Sequence, residues 1–460
     1  MTLPQNPTRT TRDYQALDAA HHIHAFVDQK ALNAEGPRVM VRGEGLHLWD
    51  NDGQRYLDGM SGLWCTNLGY GRKDLAAAAT RQLEQLPYYN MFFHTTHPAV
   101  VELSELLFSL LPSHYSHAIY TNSGSEANEV LIRTVRRYWQ ILGKPQKKVM
   151  IGRWNGYHGS TLGSTALGGM GFMHEMGGML PDFAHIGEPY WYVQGGELSE
   201  AEFGLKAARE LEAKILELGA DNVAAFVAEP FQGAGGMIFP PASYWAEIQR
   251  ICRKYDVLLS ADEVIGGFGR TGEWFAHQYF GFEPDTLTIA KGLTSGYIPM
   301  GGLVLSKRMA EVLVQQGGVF AHGLTYSGHP VAAAVAIANI KALRDEGVVS
   351  QVKNDSGPYL QQCLRQVFEG HPLVGEIQGA GLVAALQLCE DKSSRKRFAN
   401  ETDITWRCRT IGFEEGLIIR ATGGRMIMAP ALVATHGDLD ELVGKTKLAL
   451  DRTAMELGLL

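Results

Sequence analysis

Two apolar runs, Val257–Ala261 and Leu287–Ala290, each break off on charge: the first on Asp262–Glu263, the second on Lys291. Runs of this length, bounded by turns rich in glycine and proline, read as buried strands of a parallel sheet. Ligands of such sheets sit just outside the carboxyl ends of the strands, where Asp262 and Lys291 would both stand. A lysine amine there can form an imine with a carbonyl compound, and an aspartate can pair with a cationic ring nitrogen. A plain Asp262–Lys291 salt bridge is the structural alternative. The segment Gly292–Gly302 favours chemistry, because its glycines let the backbone approach a ligand closely.

Other candidates surround this pair. Asn122-Ser123-Gly124-Ser125 follows a short apolar run, Ala118–Thr121, and opens a segment with helical apolar spacing from Ala127 to Leu142. Free N–H groups, two hydroxyls and the positive end of the helix dipole suit a phosphate dianion, although Ser and Gly also serve as ordinary caps. Glu229 ends a third apolar run, Val223–Ala228, so a third charge stands at a strand end. His94 and His97 have no third ligand at suitable spacing, and no metal site is expected. Gly267-x-Gly269-x-x-Gly272 matches a dinucleotide fingerprint, but no helical segment opens there, so the match reads as accidental.

An imine-forming lysine, an aspartate for a ring nitrogen and a phosphate cup belong together in one cofactor, pyridoxal 5′-phosphate. The segment SADEVIGGFGRTG, followed by IAKGLTSGYIPMGG, resembles the class III (ω-) aminotransferases of the fold-type-I pyridoxal-phosphate enzymes, and the likeness runs over nearly the whole chain. The resemblance implies that Lys291 carries the cofactor as an imine and that Asp262 holds its ring nitrogen. It implies a phosphate cup at Ser123, Gly124 and Ser125, and an aromatic ring, Tyr157, stacked on the cofactor beside His158. Glu229 and Val264 join the cofactor site by the same resemblance, and Thr325 of a neighbouring subunit caps the phosphate. Phe26, Trp64, Cys65, Phe92, Phe93 and Tyr157 match positions of the substrate pocket, with Arg420 as a carboxylate clamp. The chain is most similar to pyruvate-dependent ω-transaminases, which implies transfer from an ω-amino acid, a diamine or an aralkyl or alkyl amine to pyruvate. The products are alanine and an aldehyde or ketone, by way of pyridoxamine phosphate. The aromatic loop Tyr88–Phe93 crosses to a partner's pocket in the family, which implies a homodimer or a tetramer of dimers. Another reaction on the same fold, racemisation or decarboxylation, uses the same Lys and Asp and stays open. So does a non-catalytic cofactor-binding protein, although no DNA-binding module is evident.

These residues need a scaffold, and the chain supplies its parts in order. A polar start with a weak helical pattern around Tyr14–Lys30 precedes an alternating segment about Asn51–Gly53, which reads as a hairpin. Lys73–Leu86 reads as a helix, Lys148–Ile151 as a strand, Gly168–Pro181 as a Gly/Met-rich loop near the mouth. Ser199–Leu218 reads as a helix opened by a Ser199/Glu202 capping box. After Thr325 comes a helix of small residues, and from Glu346 the pattern turns to helix, short strands (Gly375–Leu388), helix (Thr402–Glu415) and the apolar strand Leu417–Ile419 before Arg420. The expected fold is α/β. A large cofactor-binding domain, residues 70–345, holds a mostly parallel seven-stranded sheet, and a smaller α+β domain is assembled from residues 1–69 and 346–460.

Composition narrows the partners. A chain of 460 residues exceeds one ordinary domain, and 45% hydrophobic with 20% charged residues is ample for a buried core. With 41 basic against 49 acidic residues the net charge is −8, which disfavours nucleic acid and anionic membranes as partners. Five cysteines, an odd number without C-x-x-C spacing, fit a reducing cytoplasm. The start, MTLPQNPTRTTRDYQALD, lacks the apolar core of a secretory signal, and no apolar run reaches the length of a membrane span.

Overall fold

Strands that are apolar on both faces must lie inside a sheet covered on both sides. The computed structural model, which describes residues 9–460, has four neighbouring strands of one sheet buried at every position. The first eight residues of the polar start lie outside that range. In chain order the strands are β1 (Met40–Glu44), β2 (His47–Asp50), β3 (Arg55–Asp58), β4 (Tyr115–Thr121), β5 (Val149–Arg153), β6 (Phe183–Ile186), β7 (Val223–Ala228), β8 (Leu258–Asp262), β9 (Thr286–Ile289) and β10 (Gly301–Ser306). They are followed by β11 (Val374–Ala380), β12 (Val383–Leu388), β13 (Leu417–Ile418), β14 (Arg420–Thr422) and β15 (Arg425–Met428).

Seven of them form the central sheet in the order β4-β10-β9-β8-β7-β5-β6. Neighbours from β9 to β6 are parallel, whereas β10 runs antiparallel to both β4 and β9. The register sets the chemistry in place. Asp262 pairs with Thr288, Ala261 with Leu287, and Ala228 with Ala261, so β7, β8 and β9 end nearly level. Glu229, Asp262 and Lys291 therefore leave one edge of the sheet together. The helix Gly124–Ile141 follows β4, capped by Ser123, and the helix Glu200–Leu218 carries the expected Ser199/Glu202 capping box. Helix Pro330–Asp345 presents Ala332, Ala333 and Ala336, small enough to let the helices Lys73–Gln85 and Pro98–Leu110 pack close against it.

The two ends of the chain share a sheet. β1, β2 and β3 form an antiparallel meander, and β13 joins β3 in parallel through Leu417↔Leu57. A second four-stranded sheet, β11-β12-β15-β14, comes from the C-terminal part alone. The expected strand Leu417–Ile419 is present one residue shorter, and Arg420 follows it as the start of another strand. Leu417–Ile418 pairs with β3, the chain crosses at Ile419, and Arg420 opens β14, paired with Ile427 of β15. Near the start, the single weak helical pattern resolves into two helices. Thr11–His21 is capped by Thr10 with Asp13, and Gln29–Glu35 is capped by Asp28. The Gly/Met-rich loop contains one short helix, Gly171–His174. No helix among the described residues is long and apolar enough to cross a membrane, and the five cysteines are free.

Candidate active site

Asp262 is 4% exposed, and a carboxylate removed from water needs hydrogen-bond donors. It has them. His158 Nδ1 lies 2.7 Å from Oδ2, Asn128 Nδ2 donates to the same oxygen at 3.0 Å, and the Val264 N–H donates to Oδ1 at 3.1 Å. Burial pushes the carboxyl's pKa up, but the His158 contact, helped by Asn128 and Val264, outweighs it and holds the group below the usual carboxylate value. Oδ1 receives only the Val264 N–H among the described residues, which leaves it a lone pair for a ring N–H. Asn128 also donates to the His158 carbonyl at 2.7 Å, so it fixes both members of the pair. Its role is not among those expected from the sequence. Its signal is an amide, fully buried, inside the apolar stripe between Ala127 and Leu131.

Lys291 opens a short turn, Lys291–Leu293, with φ at 44°, a region that side-chain-bearing residues avoid. Asn339 holds that turn, donating from Nδ2 to the carbonyls of Gly292 and Leu293 at 2.8 and 3.0 Å. The Lys291 ammonium forms no ion pair among the described residues, so the expected alternative of a salt bridge to Asp262 is not what the structure has. Its Nζ instead lies 5.7 Å from the centre of the Trp64 ring. Burial lowers its pKa, with Asp262 and Glu229 among the groups that oppose the shift, and an amine closer to neutrality is the better nucleophile.

The turn at Ser123–Ser125 packs onto this pair. A Cβ on Gly124 would stand 3.0 and 3.1 Å from the two methyls of Val264, closer than ordinary packing, so a side chain here would press Val264 toward Asp262. The Ser123 hydroxyl accepts from the Glu126 N–H at 3.2 Å as an ordinary cap and keeps its own proton to donate. Ser125 Oγ accepts from the Ser160 N–H at 3.1 Å. Glu229 accepts from the Tyr157 N–H at 3.2 Å and the Gly233 N–H at 2.7 Å, and burial raises its pKa. A ring with an aldehyde, a basic nitrogen and a phosphate fits these residues: an amine without an ion-pair partner, an acceptor lone pair at Asp262, and a glycine where a methyl would crowd Val264.

Trp64 is buried with φ at 58°, and the Arg420 guanidinium lies 4.9 Å from its ring centre. Arg420 Nε donates to Thr422 Oγ1 at 3.0 Å, and burial lowers the guanidinium's pKa. Cys65 is half-buried, and the exposed Phe26 sets its ring edge against Tyr157 at 6.5 Å and Phe172 at 6.3 Å. The loop bearing Trp64 is fixed from below. Asp58 accepts from the Met60 and Gly62 N–H groups and from Tyr70 OH at 2.6 Å, while Arg270 donates to Ser61 Oγ and Asn67 Oδ1, both at 3.0 Å. Arg270 comes from the glycine motif that reads as accidental. No helix opens at that motif, and its Gly269 and Gly272, at φ 102° and 89°, form the turn that carries this buried guanidinium inward.

Phe92, Phe93 and Thr325 are not brought to the group within one chain. Tyr88 OH donates to the Thr325 carbonyl at 2.8 Å, Phe92 packs on Gly323, and Phe93 is 89% exposed. The two segments form one exposed aromatic surface with Tyr89 and Tyr326.

Comparison with known proteins follows the same lines. The sequence profile of the family described as Aminotransferase class-III matches residues 30–450. The putrescine–pyruvate aminotransferase of Pseudomonas aeruginosa is 54% identical over 445 residues, 96% of this chain and 97% of that protein. The diaminobutyrate–2-oxoglutarate transaminase of Halomonas elongata is 40% identical over 443 residues, covering 94% and 93%. Among solved structures, the omega transaminase of Pseudomonas jessenii in complex with PMP superposes with a TM-score of 0.94 at 38% identity, over 97% of this chain and 99% of that one.

Proposed function

The chain belongs to the class-III aminotransferases, and we propose that it moves an amino group from a diamine, an ω-amino acid or an aralkyl or alkyl amine to pyruvate with pyridoxal 5′-phosphate as cofactor. The observation that carries this reading is the side-by-side placement, at one sheet edge, of the unpaired Lys291 amine and the buried, ionised Asp262. When bound, the cofactor supplies an electron-poor ring that stabilises negative charge on the carbon next to nitrogen. Lys291 Nζ would hold the cofactor covalently and, when free, would serve as the base and acid that moves a proton at the substrate carbon. Asp262 keeps a proton on the ring nitrogen, with His158 and Asn128 holding the carboxylate in place. Ser123, Gly124 and Ser125 receive the phosphate at the helix start. Tyr157 covers one face of the ring, Glu229 braces the Tyr157 backbone, and Val264 packs between the cup and Asp262. Phe26, Trp64 and Cys65 wall the substrate space. In this reading residues 70–345 form the cofactor-binding domain, completed by a smaller domain from 1–69 and 346–460, and the enzyme works in the cytoplasm.

A panel of amines, putrescine included, incubated with pyruvate tests the reaction. Alanine should appear in step with the aldehyde or ketone. Racemisation or decarboxylation of amino acids without alanine formation would give the function to a different reaction of this fold.

The aromatic surface of Tyr88–Phe93 and Thr325 is matched here to a two-fold interface, in which each Thr325 reaches the other chain's phosphate and Phe92 and Phe93 its pocket. Sedimentation is expected to give a dimer or a multiple of it, and full activity in a monomer at nanomolar concentration would contradict the assignment. Arg420 is assigned to the keto-acid carboxylate. Its rest position beside Trp64 and Thr422 leaves the guanidinium without a carboxylate, so pyruvate offers the stronger partner. In Arg420→Ala the pyruvate half-reaction should slow by about 10²-fold, the loss of a charge-assisted pair of roughly 2–4 kcal/mol. The half-reaction with a neutral-tailed amine should change far less. Equal losses in the two, followed separately by stopped-flow, would make Arg420 structural.

A further inference from the structure

We propose that Asp18, His22 and His24 bind one divalent transition-metal cation of the zinc class, on the segment that carries Phe26 to the mouth of the active site. The tract Asp18-Ala-Ala-His-His-Ile-His24 runs off the C-terminal end of the helix Thr11–His21. Residues 18 and 22 stand one turn apart, so carboxylate and imidazole share a face. The backbone then becomes extended at His22 and returns the His24 ring beside its neighbour, with ring centres 4.3 Å apart. His22 Nδ1 lies 3.0 Å from Asp18 Oδ1, and His24 Nε2 lies 2.8 Å from Oδ2 and 3.0 Å from Oδ1. One ligand atom from each residue falls within 4.8 Å of the other two.

That spacing suits a metal. Zinc takes imidazole and carboxylate at about 2.0–2.2 Å in tetrahedral sites, which sets ligand atoms roughly 3.3 Å apart. The three ligand atoms already lie within 4.8 Å of one another, so side-chain rotations would bring them to that spacing around an ion, and the exposed His22 leaves it a path in and a fourth position for water. A helix C-terminus is the negative end of the dipole and favours a cation. The backbone supports the ligands on both sides. The His22 N–H closes the helix onto the Asp18 carbonyl, and the His24 N–H donates to Gln29 Oε1 at 2.9 Å, at the start of the next helix. A cation here would fasten the end of one helix to the start of the other. Phe26 lies on the short connection between them, in the left-handed region at φ 56°, with its edge on Tyr157. Fixing that connection fixes Phe26 over the ring that faces the cofactor site.

Binding is tested independently of the reaction. Holoenzyme stripped with a chelator is titrated with Zn²⁺ by calorimetry and with Co²⁺ by visible absorption, beside Asp18→Asn, His22→Gln and His24→Gln. One equivalent per chain is expected, with Kd on the order of micromolar or tighter, and a cobalt spectrum of four-coordinate type. Each substitution should weaken binding at least about tenfold, while the bound cofactor's absorbance, read without metal, stays unchanged and reports an intact fold. Absence of stoichiometric uptake by the wild type overturns the proposal. So does unaltered affinity in all three variants, which would put the ion elsewhere.

Discussion

Lys291→Ala is expected to lose turnover by several orders of magnitude, roughly 10³-fold or more, while still binding the cofactor. The substitution removes both duties assigned to the amine, covalent attachment and proton transfer at the substrate carbon. It removes little else. The ammonium has no ion-pair partner to strand among the described residues, and the turn it opens is held by Asn339 through the Gly292 and Leu293 carbonyls. Alanine at φ 44° carries the same backbone strain that lysine does, so the fold should be insensitive to the change. Retention of the cofactor would then rest on Asp262, Tyr157 and the helix start at Ser123–Ser125. The measurement pairs cofactor content with half-reaction rates, and the absorbance band that depends on attachment to lysine should be missing. Wild-type rates in this variant would send the attachment to another residue.

The placement of Lys291 was legible because the strands that deliver it are apolar on both faces and end on charge. Val223–Ala228 runs as the sequence marks it, and β8 and β9 differ from their apolar runs by one residue at their ends. What local pattern lacks is partnership across the chain. The strand before Arg420 is readable locally, yet nothing local encodes that β13 pairs with β3 near the other end of the sequence while Arg420 opens β14 beside β15. Asn128 was readable in principle as a lone amide in an apolar stripe, but its meaning depends on Asp262, which lies far along the chain. Arg270 was hidden for the opposite reason. A glycine-rich context invites a ligand reading, whereas here positive φ at Gly269 and Gly272 lets a buried guanidinium reach the loop beneath Trp64. Thr325 and Phe92 contact Tyr88 and Gly323 and form no hydrogen bond to Lys291, Asp262 or Ser123–Ser125 among the described residues, and the roles proposed for them call for a second copy.

Asp262→Asn keeps the shape of the side chain and removes its charge, and it should slow proton transfer by about 10³-fold with cofactor still bound. The larger part of the loss is Coulombic. A carboxylate about 3 Å from a protonated ring nitrogen contributes several kcal/mol at an effective dielectric near 20, and an amide contributes almost none of it. Hydrogen bonding adds to the loss. Oδ2 takes both the His158 and Asn128 contacts and Oδ1 takes the Val264 N–H, so every neighbour presents a donor. An amide offers one acceptor oxygen and must turn its NH₂ toward a donor on the other side, which leaves either the ring N–H or the His158–Asn128 pair unsatisfied. The pH profile separates charge from shape. Because the donors hold the Asp262 pKa below the usual value near 3.8, the group stays ionised from neutral pH down through that value. The wild type should therefore show no loss from Asp262 above that point, and protonation below it should mimic the variant. The variant should be slow at every pH. If its half-reaction with an amine runs at the wild-type rate, Asp262 serves only to anchor His158 and Asn128, and the ring nitrogen must be held by another group.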